Sequence, residues 1–261
     1  MSSEKFLDER RLKKLDKQLE TLISRIGVDR KTEAEIFDKS TLKSLEKLIS
    51  DRIIDTLDFP ISTGKEGNVF LGITPKKKPV AVKIYRISTA TFKNMTSYIM
   101  GDPRFKSIHK TRIDIIYAWT KKEFKNLQRL KESGIRAPKP IFFLNNVLIM
   151  EYIGDKKRAA PLLKDVKIED PRKLFDTLLY FISKMYKKAN LVHGDISAYN
   201  VLIYRKKPYL IDLGQGVLSE HPNAMDFLKR DIHNIVSYFK KFGIRADENK
   251  IFEKIVKKSW Y

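Results

Sequence analysis

The sequence predicts an α+β fold divided into two lobes, and three observations carry that expectation. Short apolar runs pair around polar turns at 61–74 with 79–85, within 141–150 and within 201–212, which is how β-hairpins read. Longer stretches with apolar residues every three or four positions lie between and after them, which is how core-packed helices read. At 261 residues, 42% hydrophobic and 11% aromatic, the chain suits one two-lobed domain or two small ones with a real core and is too apolar to be disordered.

The elements follow in order. Residues 4–26 place Phe6, Leu7, Leu12, Leu15, Leu19, Leu22, Ile23 and Ile26 on one stripe, a helix ending near Gly27. A second helix, capped by Asp38 or Ser40, carries Leu42, Leu45, Leu48 and Ile49. Together they form an N-terminal helical extension, 1–58, expected to pack on the body of the protein. From Phe59-Pro60 the period becomes strand-like and opens a β-rich first lobe, 59–152, with turns at TPKKKP and Asn145-Asn146. Within it, Tyr117 to Leu130 reads as an amphipathic helix. The second lobe, 153–261, holds a helix over 172–189 that buries Leu174, Phe175, Leu178, Leu179, Ile182, Met185 and Tyr186. The third hairpin comes next, and the chain is helical from Pro222.

Composition excludes several chemistries. The chain has no cysteine, so a disulfide framework, Cys-ligated zinc and thiol catalysis are out together. The charged start MSSEKFLDERR gives no signal peptide, and the most apolar run, IFFLNNVLIMEYI, is broken by Asn145 and Asn146 before it reaches a membrane span of roughly 18 residues. A soluble, cytoplasmic protein without a membrane partner is expected. The net charge of +21 favours polyanionic partners such as nucleic acid or anionic lipid.

The stretch LVHGDISAYNVLIYRKKPYLIDLGQG, 191–216, sets Asp195, Asn200 and Asp212 among strand-forming residues. If VLIY and YLID pair about a turn centred near residue 206, Asn200 and Asp212 lie opposite each other, with Cβ atoms roughly 5 Å apart. Asp195 lies on the loop leading into the same end. Two carboxylates and an amide oxygen are hard ligands that suit Mg²⁺, above all where phosphate oxygens complete the shell. Taken singly, each residue reads as a turn cap or a strand start. Together, H-G-D-x-x-x-x-N followed by I-D-L-G matches the spacing of a kinase catalytic loop and metal-binding strand.

Phosphate contacts are then expected from the first lobe. STGKEGNV fits the loop G-x-G-x-x-G-x-V with a serine for the first glycine, so Ser62, Thr63, Gly64, Lys65, Glu66, Gly67, Asn68 and Val69 are candidate nucleotide contacts. VAVK follows at 80–83, and the turn TPKKKP lies midway between Val69 and Lys83. Lys83 is therefore predicted as the cross-strand neighbour of Val69, in reach of the α- and β-phosphates of ATP. Glu123 in WTKKEFKNL is its predicted partner, Glu132 lying too near the end of that helix. IMEYIG, 149–154, reads as a hinge in which backbone at Glu151 and Ile153 bonds adenine and Met150 backs the pocket.

These motifs resemble the RIO family of atypical serine/threonine protein kinases, most closely its first subfamily, over roughly residues 38–242. ISTGKEGNVF, VAVKIY, HGDISAYN, LIDLGQGV and HPNAMDFLKRDIHNIVSYF carry the likeness. It implies a two-lobed protein-kinase-like fold with a truncated C-lobe and a long flexible insertion over 86–116. It further implies that Asp195 is the catalytic base and that Asn200 and Asp212 hold Mg²⁺, or Mn²⁺ in its place. Asp212 would also accept a transient aspartyl-phosphate, giving ATPase activity, while Asp231 braces the catalytic loop. Ser88, Ser97 and Ser107 of the insertion become acceptors for autophosphorylation, and the pre-ribosomal small-subunit particle or its RNA becomes the partner.

Departures from ordinary kinases narrow the reading. Gly194 stands where an arginine would read a phosphorylated activation loop, no A-P-E motif follows Asp212, and 49 residues remain after it, so the lobe that docks extended peptides is expected to be missing. Two further readings remain open. One is a small-molecule phosphotransferase of the aminoglycoside-kinase type, which shares H-G-D-x-x-x-x-N but adds a sizeable helical acceptor domain. The other is a nucleotide-gated pre-ribosome scaffold with little turnover, against which stand the filled catalytic positions.

Overall fold

A computed structural model describes residues 36–87, 92–105, 111–155 and 158–257, with backbone only at 92–94. The helix expected over 4–26 lies outside the described residues, as do Ser88 and Ser107. Two compact units are present: one from Met1–Met95, Ile108–Phe124 and Pro140–Tyr152, the other from Thr96–Ser107, Lys125–Lys139 and Ile153–Tyr261. Among the described residues, no helix is long and apolar enough to cross a membrane.

The first unit opens with helix α1 (Lys39–Ser50), and Asp38 is its cap, accepting from the amides of Ser40 and Thr41 at 2.9 Å each. Strands β1 (Thr56–Thr63), β2 (Gly67–Ile73), β3 (Pro79–Tyr85), β4 (Pro140–Leu144) and β5 (Val147–Glu151) form an antiparallel sheet in the order β1-β2-β3-β5-β4. The β-rich run expected over 61–74 thus holds the end of β1, the loop and β2. The chain reverses at 64–66, where the Gly64 amide donates to the Gly67 carbonyl at 3.0 Å. β1 starts at Thr56, ahead of Pro60; it is an edge strand, and its register shifts around the proline, which has no N–H to give.

Val69 pairs with Lys83, as the position of the turn predicts. Val80, Val82 and Ile84 alternate onto one face and pack with Leu45 and Leu48 of α1, Phe70, Val147 and Ile149. The same period of two sends Lys83 and Tyr85 to the opposite face. Polar residues at the β4–β5 tip fasten α1 to this sheet. Buried Asn146 donates to Thr41 Oγ1 at 2.7 Å and to the Tyr85 carbonyl at 2.8 Å, and Asn145, left-handed at φ 52°, donates to Ser44 Oγ at 2.9 Å.

The segment expected as a flexible insertion contains helix α2 (Phe92–Met100) and a 3₁₀ turn (Pro103–Phe105) before helix α3 (Arg112–Glu132). Apolar Met95, Ile99 and Phe105 are buried, which anchors the described residues 95–105. In the second unit, helix α4 (Pro171–Ala189) is capped by Asp170 and ends on left-handed Asn190. β6 (Leu191–Val192) pairs with β9 (Val217–Leu218), and β7 (Val201–Tyr204) with β8 (Lys207–Leu210); helices α5 (Ala224–Lys240) and α6 (Glu248–Val256) follow. The β7–β8 turn corrects an expectation. Arg205 and Lys206 both take left-handed φ, 49° and 60°, in a two-residue turn that pairs Tyr204 with Lys207. Asn200 therefore faces Ile211, whose amide it accepts at 3.0 Å, and not Asp212. The tight turn is built without the Gly or Asn that would announce it, so its centre is displaced from the sequence estimate.

Replacing Asn146 by alanine strands the Thr41 hydroxyl and the Tyr85 carbonyl in a buried place. Urea denaturation of Asn146→Ala is expected to show a loss of about 1–3 kcal/mol.

Candidate active site

The loop after β6 is held from below by a buried carboxylate. Asp231, on α5, accepts from the Gly194 amide at 2.9 Å and the Ile196 amide at 3.0 Å, which fixes the backbone on both sides of Asp195. Gly194 has φ +80°, and a Cβ there would sit 3.3 Å from the Gln215 carbonyl oxygen, so glycine suits the position twice over. Burial pushes the Asp231 carboxyl up to about 7, against the pull of those two amides. This is the bracing role that the family resemblance implies for Asp231.

Asp195 is partly buried, and its carboxyl is raised above the usual range by desolvation first and by the charge of Asp212 second. Asn200 and Arg230 pull it the other way. The Asn200 amide donates to the Asp195 carbonyl at 2.7 Å and to its Oδ2 at 3.0 Å, and so directs its own carbonyl oxygen elsewhere. Asp212 follows β8 with φ 62° and ψ 61°, a left-handed residue that turns the chain into the 3₁₀ turn Leu213–Gln215. Although the hairpin register does not set Asn200 opposite Asp212, the charge of Asp212 still acts on both Asp195 and His193. Among the described residues, no group of three or more His, Asp or Glu side chains stands ready to hold a metal. Two carboxylates and one amide oxygen are nonetheless hard donors of the kind that would hold Mg²⁺ where phosphate oxygens complete its shell. The donor set therefore fits that ion.

In the first unit, Lys83 Nζ meets both carboxylate oxygens of Glu123, at 3.0 and 2.9 Å, as predicted. Lys83 is 11% exposed and Glu123 1%, so solvent screens the pair little. The Tyr85 hydroxyl donates to the same carboxylate, and the ammonium lies 4.9 Å from the Tyr85 ring centroid. Tyr85, two residues from Lys83 on the same face, is a partner that sequence reasoning missed, although strand periodicity could have found it.

In the loop between β1 and β2, Ser62 pairs with Val69 and Thr63 with Asn68, which leaves Gly64, Lys65 and Glu66 as its crest. Asn68 turns inward: it is 1% exposed, and its carbonyl accepts from Arg86 Nε at 3.2 Å and Nη2 at 3.0 Å. The Arg86 amide also donates to the Glu66 carbonyl at 3.0 Å, so Arg86, unmarked by any motif, steadies the loop. A Cβ on Gly67 would lie 2.4 Å from the Ile84 carbonyl oxygen. At the predicted hinge, Met150 pairs with Ala81 and Glu151 with Val80, while the Ile153 carbonyl accepts from Ala160 at 2.9 Å.

His193 shows how pH acts on the site. Burial pushes its imidazole down from 6.5 to about 4, so it is neutral and donates Nε2–H to the Ile211 carbonyl at 3.1 Å. The unfolded chain takes up this proton at 6.5, so the contribution of His193 to stability is complete above that pH and is lost as pH falls towards about 4. Asp231 acts with the opposite sign, its contribution being lost as pH rises from 3.8 towards about 7. Thermal melts of His193→Gln across this range are expected to show a flatter acid arm than the parent protein.

Comparison with known proteins agrees with this geometry. The RIO domain family model matches residues 68–251. The RIO-type serine/threonine-protein kinase Rio1 of Thermoplasma acidophilum is 46% identical over 182 residues, covering 70% of this chain and 96% of that protein. That of Haloferax volcanii is 41% identical over 223 residues, covering 85% and 77%. The human serine/threonine-protein kinase RIO1 is 34% identical over 220 residues, covering 83% of this chain and 39% of its own length. Among solved structures, the Rio2 kinase of Chaetomium thermophilum superposes with a TM-score of 0.66 at 23% identity, covering 84% of this chain and 68% of its own, which gives the kinase-like fold. The same protein has been solved as an ADP/Mg²⁺-phosphoaspartate complex, which matches at a TM-score of 0.64. The chain belongs to the RIO family of atypical serine/threonine protein kinases.

Proposed function

We propose that the protein transfers the γ-phosphoryl group of ATP in a Mg²⁺-dependent reaction, phosphorylates itself, and acts on the small ribosomal subunit during its maturation in the cytoplasm. The observation that carries the phosphoryl-transfer reading is the Asp195–Asn200 bond pair on a loop locked by Asp231. Asp195 takes the proton of the attacking hydroxyl as oxygen bonds to the γ-phosphorus and the bond to the β–γ bridging oxygen breaks, releasing ADP. Its raised affinity for protons makes it a stronger base than a solvated carboxylate. Asn200 and Asp212 are the residues that would hold Mg²⁺. That ion supplies charge neutralisation along the triphosphate. Lys83, oriented by Glu123 and Tyr85, supports the α- and β-phosphates, and the crest Gly64–Glu66 covers them.

A second course is supported by the phosphoaspartate of the related Rio2 kinase. Here an Asp212 oxygen attacks the γ-phosphorus, ADP leaves, and water later cleaves the acyl phosphate, so that the cycle is an ATPase. The ribosomal assignment rests on the family resemblance together with the net charge of +21, which suits an RNA-rich partner.

Asp195→Ala is expected to lose about 10²–10⁴-fold in turnover while keeping nucleotide affinity, and Asp212→Asn to lose Mg²⁺-dependent binding as well. Undiminished autophosphorylation in Asp195→Ala would defeat the reading. Mass spectrometry after incubation with ATP and Mg²⁺ separates a hydroxylamine-resistant phosphoester on a hydroxyl from a hydroxylamine-cleaved acyl phosphate on Asp212. Addition of hydroxylated small molecules is expected to leave ADP release unchanged. Affinity for ribosomal RNA should fall steeply with salt.

A further inference from the structure

The second unit contains a chain of buried polar contacts that links the inserted segment to the turn after Asp212. Asp102, just beyond α2, is buried and holds Arg104 by two oxygens, Nη2 to Oδ2 at 2.6 Å and Nε to Oδ1 at 2.9 Å. Arg104 Nη1 donates to Asn126 Oδ1 on α3 at 2.9 Å. Asn126, 0% exposed, then donates from Nδ2 to two carbonyls, those of Leu213 and Gly216, at 2.8 Å each. These carbonyls begin and end the turn that Asp212 introduces, and the Gly216 amide closes that turn onto Leu213 O at 3.1 Å.

The arrangement has one workable orientation. Rotating the Asn126 amide by half a turn would set its oxygen against two carbonyl oxygens and its NH₂ against a guanidinium, which is repulsive at both ends. Arg104 thus selects the orientation, and Asp102 selects Arg104. Close approach is also built in, because a Cβ on Gly216 would lie 2.9 Å from Asn126 Nδ2. Leu213 and Gly216 are buried, so loss of the amide would deprive each of their carbonyls of a bond in a place that water does not freely supply.

We propose that Arg104 and Asn126 are positioning residues for Asp212: the insertion reaches through them to set the turn that aims the metal-binding carboxylate. The metal role of Asp212 comes from the function proposed above; the clamp itself rests on the contacts alone. The same segment touches the other loop, since the Tyr98 hydroxyl meets Arg230 at 3.1 Å and Arg230 also donates to the Gly194 carbonyl.

The test uses the full chain with Asn126→Leu, which keeps the volume and removes the bonds, with Arg104→Gln, and with both together. Hydrogen exchange without nucleotide or metal should accelerate at least about tenfold in a peptide spanning 211–218 while α4 and α5 keep their protection. The Mg²⁺ concentration for half-maximal nucleotide binding should rise about 10–100-fold in Asn126→Leu, with metal-free nucleotide affinity unchanged. Arg104→Gln should move both readouts less, and the double variant should match Asn126→Leu, because Arg104 acts through Asn126. Parental exchange and Mg²⁺ dependence in Asn126→Leu would overturn the proposal, as would additive effects in the double variant or uniform acceleration across the unit. If Asn126→Leu does not fold, Arg104→Gln carries the same comparison. Asp212→Asn is the control: if it keeps parental Mg²⁺ dependence, the metal role fails, and the exchange result still decides the clamp.

Discussion

A buried carboxylate accepting two consecutive-but-one amides is the constraint on which the second unit depends. Asp231 cannot move, because α5 is anchored by Leu228, Ile232, Ile235, Val236 and Phe239, all fully buried. Its oxygens therefore define where Gly194 and Ile196 lie, and Asp195, between them, has little freedom left. Burying a carboxyl is costly, and the two amides compensate only in part, which is why this group holds its proton to about 7. Stability is given up at this point in exchange for a fixed loop, a common balance at reactive centres.

The first unit solves a similar problem with a sheet. Strand alternation places three apolar residues of β3 in the core and turns Lys83 the other way, where Glu123 and Tyr85 receive it. The fully enclosed Glu123 is tolerable because a cation and a hydroxyl both meet it. In both units, then, a charged group is oriented by backbone or side-chain donors that the hydrophobic core has already immobilised.

Much of this was legible because it follows from periods and spacings. The Val69–Lys83 pairing came from counting along a hairpin, Glu123 from the need of the kinase motif for a carboxylate partner within the helical stretch WTKKEFKNL, and Asp231 from the family resemblance. The failures are just as physical. RKKP reads as a loose turn, yet two cationic residues take left-handed backbone and shift the register by one position on one strand. The insertion over 86–116 came only with the family resemblance, and within its described part Met95, Ile99 and Phe105 are buried. Arg86, Arg104 and Asn126 were invisible because each works through tertiary contacts that no local pattern encodes.

The glycine at the foot of the β1–β2 loop has a mechanical consequence. With Gly67 packed so tightly on the Ile84 carbonyl that not even a methyl group fits, β2 and β3 meet with nothing soft between them. Pulling β2 aside would break the ladder that runs from Gly67–Tyr85 to Ile73–Pro79, so the strands yield together or not at all. The lysine on β3 therefore sits on a stiff two-strand plate, and within this hairpin pair Gly64, Lys65 and Glu66 are the residues outside the ladder.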